Sequence, residues 1–352
     1  MALLARMIAS PLTVDVRRGA VAGLGELLSD GGFSSRGKVA VLLGTGQGEE
    51  LAEVVRPQLP GADLLEVPEA SVDAARELAA ALRGSSYDAL IGIGGGRTLD
   101  VAKYVASLIG LPMVSVATNL AHDGIASPTA SLMHEGRKAS YGVHIPLAVI
   151  VDLDYVSRAP ARMVRSGVGD VISNLSALAD WRLASVCVGE HIDGLAAAMS
   201  GAAANAVLYR PDSVESDDFL TTLAEALILS GLAMAVTGTS RPSSGGDHEI
   251  MHAIDELFPG TSNHGELAGL GALFCTFLRQ DITELAAIDA CLTRHQLPRL
   301  PGDVGLSIED FTTAVVHAPK TRPDRYTILE HLDLSPEATR KKIDEFVSTL
   351  DR

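Results

Sequence analysis

Aromatic side chains are scarce in this chain: Phe, Trp and Tyr together make up 4% of its 352 residues. With 47% apolar residues and 34 glycines, that shortage argues against a β-sandwich and for an α/β protein with an ample core. Cysteine is nearly absent. Cys187, Cys275 and Cys291 stand alone with no C-x-x-C spacing, which excludes a disulfide framework and a cysteine-type zinc site and leaves buried free thiols as the expectation. Basic residues are in deficit, 28 Lys and Arg against 44 Asp and Glu, for a formal charge of −16. Such a surface suits neither nucleic acid nor an anionic membrane, and an anionic substrate would need a local basic pocket. No run of about 18 apolar residues exists, so no membrane span or insertion is expected. The opening "MALLARMIASP" is shorter than a usual signal h-region, so the expected location is the cytoplasm. Repeats, low-complexity tracts and long linkers are also missing.

What is present falls into two parts. Short apolar runs at 38–44, 62–67, 88–94, 112–117 and 147–152 read as strands, with helical patterns between them at 71–84 and 98–110. Apolar strands separated by amphipathic helices predict a parallel, Rossmann-like sheet covered on both faces, with ligands at the carboxyl ends of its strands. Beyond about residue 160 the strand signals stop. Residues 168–186, 217–238, 267–280 and 335–352 all read as helices, the last one capped by Ser335 and Pro336. The expected organisation is an α/β nucleotide-binding domain over 1–160 and an all-helical domain over 161–352 that holds metal and substrate.

The string "ALIGIGGGRTLDVAK" puts Gly92, Gly94, Gly95 and Gly96 between a strand and a helix. Glycines let a phosphate approach the backbone, and the helix start offers free N–H groups. A tight βα turn would account for part of this pattern, and the string departs from G-x-G-x-x-G at Arg97.

Metal-type ligands recur further on. "GVGDVISN" offers Asp170 near a helix start, "GGDHEIMH" offers His248 and His252, and "SNHGE" offers His264. The second string also reads H-E-x-x-H, the signature of zinc peptidases in which Glu249 would be the base. The longer metzincin extension is missing, and a glycine-rich phosphate turn has no part in peptide hydrolysis.

"IGIGGGRTLDVAKYVA", "VSVATNLAHDGIASPTASL", "GVGDVISNLSALADWRLA", "SRPSSGGDHEIMHAID", "HGELAGLG" and "RPDRYTILEHL" occur in this order along nearly the whole chain. In them the sequence resembles the glycerol-1-phosphate dehydrogenases, a branch of the iron-containing alcohol dehydrogenase and glycerol dehydrogenase superfamily with a dehydroquinate synthase-like fold. The resemblance implies Asp170, His248 and His264 as ligands of one divalent metal, zinc in most members and nickel or iron in some. It implies a substrate pocket lined by Asp123, Asp170 and His252, with Asp123 and His252 as the catalytic pair. It places NAD or NADP on Gly94, Gly95, Gly96, Arg97, Thr98 and Asp100, with Thr118, Asn119 and Ser127. Glu249 would then face elsewhere on its helix, and H-E-x-x-H would be a coincidence.

The activity implied is reversible reduction of dihydroxyacetone phosphate to sn-glycerol 1-phosphate, a step of phospholipid metabolism, by a homodimer or larger homo-oligomer. A dehydrogenase of another polyol or phosphonate and a dehydroquinate synthase-like cyclase are the alternatives on the same scaffold; an H-E-x-x-H peptidase is the one from a different class. Asp247 stands where the family more often has Glu. No acidic residue follows "LLGTGQG" at the distance suited to a ribose 2′-hydroxyl, Glu49 and Glu50 coming late, so NAD against NADP stays open. Arg137, Lys138 and Arg241 are the candidate cations for the substrate phosphate.

Overall fold

The computed structural model describes residues 10–33 and 38–350; most of the apolar opening lies outside this range. Contacts divide the chain into two compact units that meet in sequence at Ala159 and Pro160.

The first unit carries eight strands: β1 (Thr13–Arg17), β2 (Val39–Gly44), β3 (Asp63–Val67), β4 (Ala89–Gly94), β5 (Met113–Ala117), β6 (Thr129–His134), β7 (Arg137–Gly142) and β8 (Ala148–Asp152). Its helices are α1 (Leu24–Asp30), α2 (Gly48–Gln58), α3 (Val72–Leu82), α4 (Gly96–Ile109) and the short α5 (Leu153–Val156). Six strands form one parallel sheet in the order β1-β8-β5-β4-β2-β3. One face buries Val39, Val41, Ile91, Ile93, Val114, Val116 and Ile150 in a continuous cluster with α1 and α2. On the other, α4 lies so close to β4 that a Cβ on Gly92 would meet the Ala102 Cβ at 2.5 Å. Gly92 therefore belongs to strand–helix packing and not to the phosphate turn. The chain lays down β2 and β3 to one side, then crosses to β4 and β5 on the other. The strand order thus reverses between β2 and β4, and the crevice beyond their carboxyl ends is where such sheets bind ligands.

The sequence reading did not mark α1 or the short α5, and it missed two further features of this unit. One is α2, which Gly48 opens. The other is the β6–β7 hairpin, whose turn residues Glu135 and Gly136 have φ of 50° and 77°. Positive φ at both positions is the geometry that matches a hairpin's twist.

The second unit is helical: α6 (Ala161–Val188), α7 (Gly194–Leu208), α8 (Asp217–Thr237), α9 (Gly246–Leu257), α10 (His264–Leu278), α11 (Ile282–Arg294), α12 (Ile308–His317), α13 (Ile328–Leu332) and α14 (Pro336–Leu350). Ser335 caps α14 by accepting from the Ala338 N–H at 3.2 Å. By length and composition α6 and α8 would suffice to cross a bilayer, contrary to the expectation from runs alone, because glycines and serines interrupt the runs without lowering the average far. In both, 61% of the apolar window is buried inside the structure.

Asp170 is not near a helix start. Pro160 precedes the first turn of α6, so the helix begins at Ala161 and Asp170 sits in its interior, facing α10. The cysteine expectation also needs one correction: Cys275 and Cys291 are buried, but Cys187, at the end of α6, is exposed.

Candidate metal centre and nucleotide turn

Three helices of the second unit bring Asp170, His248 and His264 together, and glycines decide how closely. A Cβ on Gly265 would fall 1.8 Å from the Ser166 carbonyl oxygen, and one on Gly169 would fall 2.2 Å from that of Gly265. With no side chains in the way, α6 and α10 touch backbone to backbone, and the Gly265 N–H donates to Ser166 Oγ at 3.1 Å. On the α9 side, the start of the helix is held by Asp180, which accepts from the Gly246 N–H at 2.8 Å and from Arg279 at 2.6 Å.

His248 Nε2 lies 3.2 Å from His264 Nε2 and 3.8 Å from Asp170 Oδ1, and His264 Nε2 lies 3.3 Å from the same oxygen. A tetrahedral zinc with bonds of about 2.0–2.1 Å has its donor atoms about 3.4 Å apart, so the three sides match one face of such a site. Two imidazoles and one carboxylate are also the ligand type of a catalytic centre that keeps a position open. Among the described residues this is the one group of three or more such side chains close enough to share an ion.

The electrostatics agree. Burial alone raises a carboxylate's pKa, yet contacts with His248 and His264 hold Asp170 well below the ordinary range. Burial likewise opposes charge on His248, but hydrogen bonding to Asp170 and Asp247 outweighs it and pushes His248 up to about 9. A buried pocket that binds a proton so firmly is one prepared for positive charge. Asp247 Oδ1 is 2.5 Å from His248 Nδ1. That contact fixes the ring and leaves Nε2 for the centre, the usual arrangement behind a metal-bound histidine.

His252 is half-buried one turn along α9, its ring 6.4 Å from that of His248, and its Nε2 accepts from Arg322 at 2.9 Å. Glu249 is fully buried. Burial first, and Glu330 next, push it up to about 9, and it accepts from Thr327 Oγ1 at 3.1 Å. An enclosed acid that stays protonated at neutral pH is not the general base of a peptidase.

In the first unit, Gly95 caps α4 and Gly96 begins it, directly after β4 at the reversal of strand order. Side chains from the segment after β5 stand over these glycines: a Cβ on Gly95 would meet Asn119 Nδ2 at 2.3 Å, and one on Gly96 would meet His122 Nε2 at 2.2 Å. Thr118, Asn119 and His122 thus share the space above the turn, Arg97 is exposed beside it, and Thr98 is buried beneath it. His122 was not singled out in the sequence; "NLAHDG" hides it beside Asp123. Asp123 opens a short 3-10 turn whose carbonyl accepts from the Ser127 N–H at 3.1 Å.

Asp100 points inward, 2.9 Å from the Nζ of a fully buried Lys103. Lys103 also donates to the Gly124 carbonyl at 2.8 Å and to that of Thr129. It ties the segment bearing Thr118, Asn119, Asp123 and Ser127 to α4. The signal was available, a lysine three residues after Asp100 on an apolar helix face.

The phosphate cations fare differently. Arg241 is buried in a paired contact with Glu190, both bonds 2.9 Å, and also donates to the Tyr326 carbonyl at 2.6 Å. It is a structural ion pair. Arg137 and Lys138 are exposed on β7. Sequence reasoning passed over Arg322 and Arg325, although both lie in the quoted "RPDRYTILE".

A protein 34% identical over 337 residues, the glycerol-1-phosphate dehydrogenase [NAD(P)+] of Hyperthermus butylicus, aligns with 94% of this chain and 95% of its own length. This chain belongs to the glycerol-1-phosphate dehydrogenase family. The enzyme of the same name from Archaeoglobus fulgidus is 38% identical over 275 residues, covering 76% of this chain and 78% of that one. Residues 15–160 also match the family model described as iron-containing alcohol dehydrogenase. In fold, the chain is similar to the solved glycerol dehydrogenase of Schizosaccharomyces pombe, with a TM-score of 0.81 at 20% identity over 99% of this chain and 91% of the other. An NAD(P)-linked oxidoreductase of this family acts on a small molecule, and a divalent metal is consistent with its type.

Proposed function

We propose that this chain reduces dihydroxyacetone phosphate to sn-glycerol 1-phosphate, reversibly, using NADH or NADPH and one divalent metal, zinc before nickel or iron. The observation that carries the reading is the Asp170–His248–His264 triangle, with sides of 3.2, 3.3 and 3.8 Å, in a member of this family. In this reading the first unit holds the dinucleotide, at Gly94, Gly95, Gly96, Arg97, Thr98 and Asp100 with Thr118, Asn119 and Ser127. The second holds metal and substrate.

Asp170, His248 and His264 would be the metal ligands, with Asp170 also touching substrate. A bound divalent cation supplies polarisation of the carbonyl and the nicotinamide supplies the hydride. The remaining work belongs to side chains. Asp123 and His252 orient the substrate hydroxyls and pass the proton. His252 is suited to this because Arg322, a permanent donor, keeps Nε2 as the unprotonated nitrogen, which can accept from substrate when the guanidinium turns away. Lys103 keeps the segment carrying Asp123 in place.

The test is the loss of NAD(P)H absorbance on adding dihydroxyacetone phosphate to zinc-loaded protein, with each cofactor in turn. Loss that stops with chelator, and in Asp170→Ala, is the expected result, and the two cofactor arms decide between NADH and NADPH. No loss with either cofactor, while the dinucleotide still binds, would sink this substrate and direct the search to other polyols, phosphonates and cyclisation substrates.

A further inference from the structure

A cavity of about 370 Å³ in the second unit is lined by Glu190, Thr239, Arg241, Arg322, Asp324 and Arg325, with Pro323. Three guanidinium groups therefore face two carboxylates, in a chain whose overall charge is −16. Glu190 is already committed to Arg241, whose side chain is only 3% exposed. Even so, the buried Nη1 of Arg241 has no acceptor.

Arg322 and Arg325 are the unusual pair. Arg322 donates to Ser240 Oγ at 2.9 Å and to His252 Nε2 at 2.9 Å; Arg325 donates to Ser240 Oγ at 3.2 Å and to the Ser244 carbonyl. All three acceptors are neutral, and neither arginine has an ion pair among the described residues. Both are half-buried, and guanidinium groups partly withdrawn from water are commonly matched by a carboxylate or another anion. Burial lowers the pKa of Arg322, and burial followed by the charges of Arg322 and Arg241 brings Arg325 down to about 10, in both cases against the smaller pull of Glu249 and Asp247. Glu249 and Asp247 act on both arginines only through space, and among the described residues no carboxylate is in direct contact with either.

The position of the two arginines says what their counter-ion is. Arg322 touches His252, one turn along α9 from His248 of the metal triangle. His252 thus stands between the triangle and Arg322, with its ring 6.4 Å from that of His248 and its Nε2 2.9 Å from the guanidinium. We propose that Arg322 and Arg325, with the charge of Arg241 behind them, receive the phosphate of the substrate, a phosphate-monoester dianion on a short ketose or polyol. The inference rests on the proposed function for the identity of the rest of the substrate, but not for the anion. Two planar forks directed at neutral acceptors can rotate to give bidentate contacts to phosphate oxygens, and Arg322 would then exchange His252 for the ligand.

The experiment compares dihydroxyacetone phosphate with dihydroxyacetone in metal-loaded wild type, Arg325→Gln and Arg325→Lys. In parallel, the thermal midpoint of chelated protein is followed with and without inorganic phosphate. The expected result for Arg325→Gln is a fall in kcat/KM for the phosphorylated substrate of roughly 10- to 100-fold, mostly in KM. Its preference over dihydroxyacetone should collapse, the phosphate-induced rise in midpoint should be lost, and Arg325→Lys should recover part of each. A folded Arg325→Gln protein with unchanged preference would overturn the assignment. If the variants do not fold, wild type decides: phosphate that fails to compete with dihydroxyacetone phosphate also overturns it. Should wild type reduce neither ketone, the proposed function fails, and the chelated protein judges the arginines separately. A phosphate-dependent midpoint abolished by the substitution upholds the site for another phosphorylated substrate, and no phosphate effect removes it.

Discussion

At the scale of single residues, Asp247 is the most instructive. It has no access to solvent, and burial pushes its pKa up, but the hydrogen bond and charge of His248, with the Gly245 N–H and Ser176, together hold it below the ordinary carboxylate value. Its place behind His248, a metal ligand in the proposed reading, gives it a positioning role there: it selects the tautomer that presents Nε2 to Asp170 and His264. Asp247→Asn keeps the shape but removes the charge. Metal affinity is expected to fall about 10- to 100-fold, measured by competition against a chelator of known strength, and an unchanged affinity would remove the role. In the sequence Asp247 was visible as a conservative exchange for Glu, but its function was not, because a contact between neighbours depends on side-chain rotamers. Arg322 and Arg325 were invisible for a related reason: a cation without a partner cannot be recognised until the surroundings that should supply one are known.

At the scale of elements, the crossing of α6 with α10 determines whether the triangle exists. Gly265 and Gly169 let the two backbones touch, so any side chain there must separate the helices and with them Asp170 and His264. Gly265→Ala is expected to destabilise the protein by about 1–3 kcal/mol or more through overpacking and to lower bound metal in elemental analysis of purified protein. Gly302→Ala is the control: its added methyl would meet nothing within 4 Å, and its effect should stay within about 0.5 kcal/mol. Equal behaviour of the two variants would show that the crossing tolerates a methyl group. Most elements were legible because apolar period distinguishes strand from helix. The predicted strand edges agree with β2, β3, β4, β5 and β8 to within a residue. The hairpin of β6 and β7 was missed because its code is one pair of turn residues at Glu135 and Gly136.

At the scale of the whole molecule, stability should depend on pH through a residue that has no part in the proposed site. His295 is 3% exposed and packs against Phe219, with ring centroids 4.9 Å apart. Burial, and then the charge of Arg294, lower its pKa to about 4 from an ordinary value of 6.5. The unfolded chain therefore takes up a proton before the folded one does. The contribution is complete above about pH 6.5 and is lost as the pH falls from there through about 4, up to roughly 3 kcal/mol in all. Thermal unfolding between pH 7.5 and 4.5 should show a steeper acid decline in wild type than in His295→Leu; parallel curves would assign the decline to other groups.

The sequence by itself determined the alternation of strands and helices and the glycine turn after β4, because each is written in local period or spacing, and it offered Asp170, His248, His252 and His264 as ligand-type side chains, of which the family resemblance implied three. Only the tertiary structure decided that Asp170, some eighty positions before His248, meets it and His264, since that depends on backbones brought into contact at Gly169 and Gly265. It also decided that Glu249 is shut away under Thr327, that Arg241 is already paired with Glu190, and that Arg322 and Arg325 meet only neutral acceptors among the described residues. Charge and spacing are properties of the chain, whereas burial and partnership arise only when distant segments exclude water together.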